Sequence, residues 1–324
     1  YSPSSPGFKN TYRLRDGPGA RFVDLLEESS RLHPDVRFRF TSPHPKDFPE
    51  EVTRTQMSVS SPNPSLALTR VLLGSPPTSS TPNTLQMLQL IAERPNVCSS
   101  LHMPAQSGST SCLERMRRGY SRETYLELID RARTLIPGLS ISTDIITGFC
   151  GETEEEHQDT LDLMTRVQFD QAFMFAYSMR DKTHAARRLK DDVPEDVKNR
   201  RLQEIIGTFR EHVQAKNERE DLGELHCVLV EGLAKKSGPD GGVMLQGRTD
   251  TNKRVIFPHT PVPSGTQVVA DAGSRSVATV GEMQTGELVA VRISEVKGHT
   301  LRGVPVAKMN MAEYGELKAR GLMK

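Results

Sequence analysis

Leu139-Ser-Ile-Ser-Thr-Asp-Ile-Ile-Thr-Gly-Phe-Cys-Gly-Glu-Thr153 is the stretch on which the fold turns. Leu139–Ile146 is apolar-rich and of strand length. Gly148 and Gly151 end it, and Thr153 with Glu156 forms a Thr-x-x-Glu capping box. That box opens a helix with Leu161, Met164 and Val167 turned inward. Downstream, Gln171–Tyr177 reads as the next strand, and Pro194 suits the first turn of a long charged helix bearing Leu202, Ile205, Ile206, Phe209 and Val213. Upstream, Ser121 is an N-cap for a helix carrying Tyr125, Leu128, Ile129, Ala132 and Leu135, stopped by Pro137-Gly138. Before it come a short basic helix, Thr110–Arg118, and a strand, Leu101–Gln106. Strand and helix alternate, the pattern of a parallel α/β sheet with crossover helices.

The flanks read differently. Residues 1–10 are a leader, Phe22–Val36 a helix, and Val36–Phe40 a short alternating strand. Residues 53–84 hold 7 Ser, 6 Thr and 5 Pro, with only Arg54 and Arg70 charged. So little apolar surface cannot offset chain ordering, and the window is expected to be a disordered insertion. Beyond Glu220, His226–Gly232, Val243–Gln246, Lys253–Phe257, Gln267–Ala270, Leu288–Ile293 and Leu301–Val306 are short strands between Gly-rich turns. They predict a small antiparallel β-barrel.

The 324 residues suggest two domains at roughly 150 residues each. With 42 Lys+Arg against 41 Asp+Glu, no whole-chain field gathers nucleic acid or lipid. No stretch approaches the ~20 apolar residues of a helical membrane span, which excludes that class. Cys98, Cys112, Cys150 and Cys227 have the spacing of neither a C-x-x-C zinc pair nor a dense disulfide framework.

Three tracts could carry chemistry. His102–Ser109 follows a strand and precedes a helix, with small residues that admit a polar ligand to the backbone; by composition alone an ordinary strand-to-helix turn is the commoner explanation, and His102 reads as a hydrogen-bonded core histidine. Asp144–Thr153 puts an acid in a strand and glycines at its carboxyl end, where ligands bind in parallel α/β sheets; Glu152 has a bland alternative as a helix-dipole charge. Cys150 has no assigned base, and His157 is not thereby its partner. Tyr177-Ser-Met-Arg180 ends the next strand, and an Arg there can hold a carboxylate bidentately or simply be solvated. No nucleotide-loop, zinc-protease or nucleophile-elbow motif is present.

Together these tracts resemble the MiaB-type radical S-adenosylmethionine methylthiotransferases. Met103–Ser109 is similar to that family's Leu-Pro-x-Gln-Ser-Gly-Ser loop, Asp144–Thr153 to its Asp-x-Ile-x-Gly-Phe-Pro-Gly-Glu-Thr strand end, and Phe175–Arg180 to its Phe-x-Tyr-Ser-x-Arg element. Val228–Gly232 and Gly247-Arg248-Thr249 look like its TRAM domain, an OB-like RNA-binding barrel. Arg117–Arg122, Gly148–Glu152 and Leu189–Pro194 look like a mitochondrial animal branch named for association with a regulatory subunit of cyclin-dependent kinase 5. Arg180-Asp-Lys-Thr183 departs from the family's Arg-Pro-Gly-Thr.

The resemblance implies a partial radical-SAM (β/α) barrel over 1–220, a TRAM domain over 221–308, and a tail over 309–324. It also implies methylthiolation of carbon 2 of isopentenyladenosine beside a tRNA anticodon, using S-adenosylmethionine and 4Fe–4S clusters. Gln106, Ser107, Gly108, Asp144, Gly148, Glu152 and Arg180 would contact the cofactor; no residue is given a catalytic role or a metal. The implied partners are the tRNA anticodon stem-loop and that kinase-regulatory subunit, with no membrane, in the mitochondrion or else the cytoplasm. The family's C-x-x-x-C-x-x-C is missing from the sequence. The chain is therefore expected to be a C-terminal portion, inactive alone, the alternative being a catalytically silent isoform that binds RNA or the kinase regulator.

Overall fold

The structure is a computed structural model, and it describes residues 22–41, 83–238, 241–265 and 280–324. The expected disordered insertion lies outside these residues except for 83–84, and the strand at Gln267–Ala270 lies wholly outside them.

Helices α1 (Phe22–Leu32) and α2 (Asn83–Glu93) precede the α/β part. There follow β1 (Ser100–His102), α3 (Thr110–Arg115), α4 (Arg122–Leu135), β2 (Ser140–Thr147), α5 (Glu154–Val167), β3 (Gln171–Ala176), α6 (His184–Arg188) and α7 (Glu195–Glu220). The three strands form one parallel sheet in the order β1-β2-β3, with Ser100 opposite Ser140 and Ser142 opposite Gln171. Local chemistry sets the helix starts: Ser121 accepts from the Thr124 amide, and the Thr153–Glu156 capping box is complete. Tyr125, Ile129 and Ala132 of α4, Leu163 and Val167 of α5, and Ile205, Phe209 and Val213 of α7 share one core with Ile141 and Ile145.

That core covers a single face of the sheet. Along β2, Ile141, Thr143, Ile145 and Thr147 are buried, while Ser142, Asp144 and Ile146 on the opposite side are half-buried. On β3, Phe173 and Phe175 are 44% and 54% exposed. A closed parallel sheet buries both faces; this one is open on one side, as a partial barrel is.

Val36–Phe40 does not form the expected strand. Among the described residues, only Phe38 bridges, to Val97, while Arg37 donates to the Cys227 and Arg248 carbonyls and Arg39 to the Thr249 carbonyl. The alternation there turns Phe38 and Phe40 to the core and the arginines to the second part of the molecule.

In that second part β4 (Leu225–Leu233), β5 (Met244–Thr249), β6 (Arg254–Pro258), β9 (Leu288–Lys297) and β10 (Thr300–Met309) close a barrel. A two-stranded ribbon, β7 (Val262–Pro263) with β8 (Val280–Gly281), lies between β6 and β9 in sequence. The barrel order is β4-β5-β6-β10-β9, and the β6–β10 pair that closes it is parallel, the rest antiparallel. This is an OB-like arrangement rather than a wholly antiparallel one. Val228, Val230, Val255, Phe257, Val289, Val291 and Leu301 fill it.

Residues 309–324, read from sequence as a tail, contain α8 (Met311–Ala319). Asn310 and Glu313 form its capping box, and Tyr314, Leu317 and Met323 bury against Leu225, Cys227 and Ala290. Lys318 donates to Ser99 at 3.1 Å and to Asp250 at 2.9 Å, tying helix, α/β part and barrel together.

Candidate functional site

The three tracts meet at the carboxyl edge of the sheet. The Gln106 amide donates to the Asp144 carbonyl, the Ile146 amide to the Gln106 carbonyl, and the Tyr177 amide to the Thr147 carbonyl, each at 2.8 Å. Parallel pairing therefore sets the ends of β1, β2 and β3 side by side, although 34 residues separate the first tract from the second in sequence.

The seven expected residues divide by what they face. Asp144 lies on the open side of the sheet, half-buried, with His102 Nε2 3.4 Å from its carboxylate. His102 is itself held by Ser142 Oγ at 2.9 Å and lies edge-on to Phe173. Gln106 is buried in a left-handed conformation, φ 69°. Ser107 and Gly108 instead meet α5: Ser107 Oγ lies 3.4 Å from Thr160 Oγ1, and the Gly108 amide donates to that same oxygen at 3.0 Å. A Cβ on Gly108 would lie 2.3 Å from the Asp159 carbonyl oxygen, so this glycine is required by helix packing.

Gly148 and Glu152 are bound into a rigid corner. The Gly148 amide donates to Glu152 Oε2 at 2.6 Å, and Arg201 donates to that oxygen at 3.0 Å and to the Glu152 carbonyl at 2.9 Å. Burial pushes the Glu152 carboxyl up, against the opposing pull of the Gly148 amide and Arg201. Glu152 Oε1 and the neighbouring Thr147 Oγ1 are buried with no hydrogen-bond partner. Thr147 is on the core-facing side of β2 and Glu152 is turned to Arg201, so neither atom faces the open side that carries Asp144.

Arg180 is exposed at the rim of a cleft of about 220 Å³. Met116, Ile146, Phe149 and Tyr177 supply its apolar surface, and Arg115, Arg118 and His184 its cationic one. Ile146 lies on the same side of β2 as Asp144, so the cleft and the open sheet face are continuous along that strand. A larger cavity, about 800 Å³, is lined by Ser99, Leu139 and Asp170, which precede β1, β2 and β3. It sits at the amino edge of the sheet, opposite the motifs.

Sequence reading missed Lys198 and Arg201. Both belong to a charged helix that looks solvated, yet Lys198 is 1% and Arg201 4% exposed. Their spacing carried the signal, because Lys198, Arg201, Ile205, Phe209 and Val213 recur at helical intervals on one face. Lys198 pairs with Asp191 and Glu195 under Gly148. His157 pairs with Glu204 at 2.6 Å and not with Cys150.

The cysteines do not fit a 4Fe–4S cluster. All four are buried and free, and burial pushes Cys112 up to about 12 and Cys98 up to about 11, away from the thiolate a cluster needs. Among the described residues no group of His, Cys, Asp or Glu could hold a metal ion.

A family model described as the radical SAM superfamily matches residues 9–164. The human mitochondrial tRNA methylthiotransferase CDK5RAP1 is 46% identical over 92% of this chain and 41% of its own length. The tRNA-2-methylthio-N(6)-dimethylallyladenosine synthase of Chloroherpeton thalassium is 38% identical over 89% of this chain and 50% of its own. Over most of its length this chain is similar to tRNA methylthiotransferases, and over 9–164 to the radical SAM superfamily. It spans about half the length of the curated relatives it matches. Among solved structures, the radical SAM enzyme coproporphyrinogen III oxidase (HemN) of Escherichia coli aligns at 19% identity and TM-score 0.34 over 51% of this chain and 44% of that one.

Proposed function

We propose that this methylthiotransferase relative serves the methylthiolation of carbon 2 of isopentenyladenosine in tRNA, and that the carboxyl edge of its sheet is the S-adenosylmethionine site. The observation that carries this reading is that Asp144 on the open sheet face and Arg180 at the rim of the adjoining cleft both lie at the carboxyl edge, joined along β2 by Ile146. An acid suits the ribose hydroxyls or the ammonium group of the cofactor, and a guanidinium suits its carboxylate. When bound with a reduced cluster, S-adenosylmethionine supplies a carbon radical; the residues here bind and orient it. Gln106 and Gly148 shape the backbone beneath it, while Ser107, Gly108 and Glu152 hold that backbone through α5 and α7. The cluster would need ligands other than the four cysteines of this chain.

The proposal takes residues 1–220 as the radical SAM part and 221–308 as a TRAM-type RNA-binding barrel. The tRNA anticodon stem-loop is the proposed partner, in keeping with the tRNA-modifying relatives, and the mitochondrion the proposed location, in keeping with the human one. An association with a cyclin-dependent kinase 5 regulatory subunit rests on the family resemblance alone.

The test is titration of the 324-residue chain with S-adenosylmethionine, followed calorimetrically. Asp144→Ala and Arg180→Ala should each weaken binding about tenfold, the loss of one charge-assisted contact, with the thermal transition kept. Unchanged affinity in both variants, or no binding by the unsubstituted chain, refutes the site.

A further inference from the structure

The cleft that ends at Arg180 is ringed by more positive charge than the α/β part neutralises. Arg117, Arg180, Lys182, Arg187 and Arg188 are all exposed, and none forms an ion pair with a described residue. Only one carboxylate, Asp181, lies on the turn and helix from Ser178 to Arg188. Exposed Glu114, three residues before Arg117, forms no ion pair with a described residue, while other acids nearby are engaged. Glu156 is taken by Arg115, Asp191 by Lys198, and Asp192 accepts from the Gly151 amide.

These cations come from two separate elements and still meet. His184 lines the cleft, and its imidazole is held below its ordinary pKa by partial burial and then by the guanidiniums of Arg117, Arg188 and Arg187. Arg117 follows α3, whereas Arg187 and Arg188 end α6. Met116 and Arg118, on either side of Arg117, line the cleft from one element, and Thr183, His184 and Ala185, at the start of α6, line it from the other, so both elements bring their arginines to its mouth. Like charges gathered in excess of counter-charge cost free energy unless a polyanion meets them.

We propose that Arg117, Lys182, Arg187 and Arg188 form a phosphate-binding rim that holds an RNA backbone on either side of the nucleotide entering the cleft. The inference rests on the reading of this chain as part of an RNA-modifying enzyme and names the surface of the α/β part that meets the RNA. The apolar surface of Met116, Ile146, Phe149 and Tyr177 suits an unstacked base, and the rim suits its flanking phosphates. The β-barrel carries nine Lys+Arg against nine Asp+Glu over 221–306, so it offers no comparable charge surplus.

The test uses the 324-residue chain and a fluorescently labelled anticodon stem-loop RNA, with Kd measured by anisotropy across a KCl series. Arg117→Ala/Arg188→Ala is the informative variant, since neither side chain hydrogen-bonds within the described residues. It should bind about tenfold more weakly and lower the log–log salt slope by about 1.4–1.8, as two lost phosphate contacts require. Arg117→Lys/Arg188→Lys should keep most of the affinity, which separates charge from packing. If the unsubstituted chain binds and the alanine variant matches it in affinity and slope, the rim is overturned while the proposed function stands. Absence of RNA binding by the unsubstituted chain overturns both. Equal competition by polyglutamate of matched charge overturns RNA as the occupant.

Discussion

Gly148→Ala is the substitution whose outcome follows most directly from the geometry. Gly148 has φ +72°, a left-handed conformation that costs an L-residue roughly 1–2 kcal/mol. The new Cβ would also lie 2.3 Å from Lys198 Cγ and 3.1 Å from Lys198 Cβ. Lys198 cannot swing aside freely, being 1% exposed and held by Asp191 at 2.8 Å and Glu195 at 2.7 Å. Overpacking of this kind adds about 1–3 kcal/mol, for a total of about 2–5 kcal/mol. Gly138 provides the control, with φ +73° and nothing within 4 Å of an added Cβ, so Gly138→Ala should cost only the backbone share of about 1–2 kcal/mol. Urea unfolding followed by tyrosine near-ultraviolet circular dichroism reports on this region through buried Tyr120 and Tyr125. Adding Lys198→Ala to Gly148→Ala should recover the steric part, an interaction of about 1–3 kcal/mol in a double-mutant cycle. Equal midpoints for the two alanine variants would refute the argument.

Arg201→Met should cost about 3–5 kcal/mol, because it strands the Glu152 carboxylate, 1% exposed, without its cation; Glu152→Gln/Arg201→Met should be milder, and a harmless single variant would show that the pair is not a keystone. Burial pushes Asp221 up, but His226 and Lys253 more than offset it and hold the carboxyl at about 2, below its ordinary 3.8. Its folded pKa is thus depressed, so about 2 kcal/mol of stability is present above pH ~4 and lost as pH falls toward ~2. Urea midpoints of Asp221→Asn should be flatter than those of the unsubstituted chain over that window, and parallel curves would contradict this. All four cysteines should resist alkylation at neutral pH in the native chain and react after denaturation; rapid native labelling seen by mass spectrometry would show that the packing around them opens.

Much of the α/β order was legible because its signals are local. Ser121 and the Thr153–Glu156 box cap their helices through atoms three residues apart, and the glycines after Ile146 end a strand by backbone conformation. Helix α8 was equally legible in Asn310 and Glu313, the same box, although the segment reads as a tail by its position in the chain. Val36–Phe40 misled because alternation records only which side chains face together. Whether the backbone finds a strand partner depends on neighbours distant in sequence, and here the arginines reach the barrel instead.

The sequence alone was enough to align the three strand-end tracts with a family and to place them at one edge of a parallel sheet, since periodicity and short motifs are properties of contiguous residues. Only the tertiary structure showed what each site residue faces. Ser107 and Gly108 turn to Thr160, Glu152 turns to Arg201, and Asp144 alone of the acids in its tract opens toward His102 and the bare face. Likewise, the proposed charge rim depends on the end of α3 and the start of α6, far apart in sequence, lining one cleft. Charge counted along a chain says nothing of charge gathered in space: Coulomb interactions fall with distance through the folded molecule, not with separation in sequence.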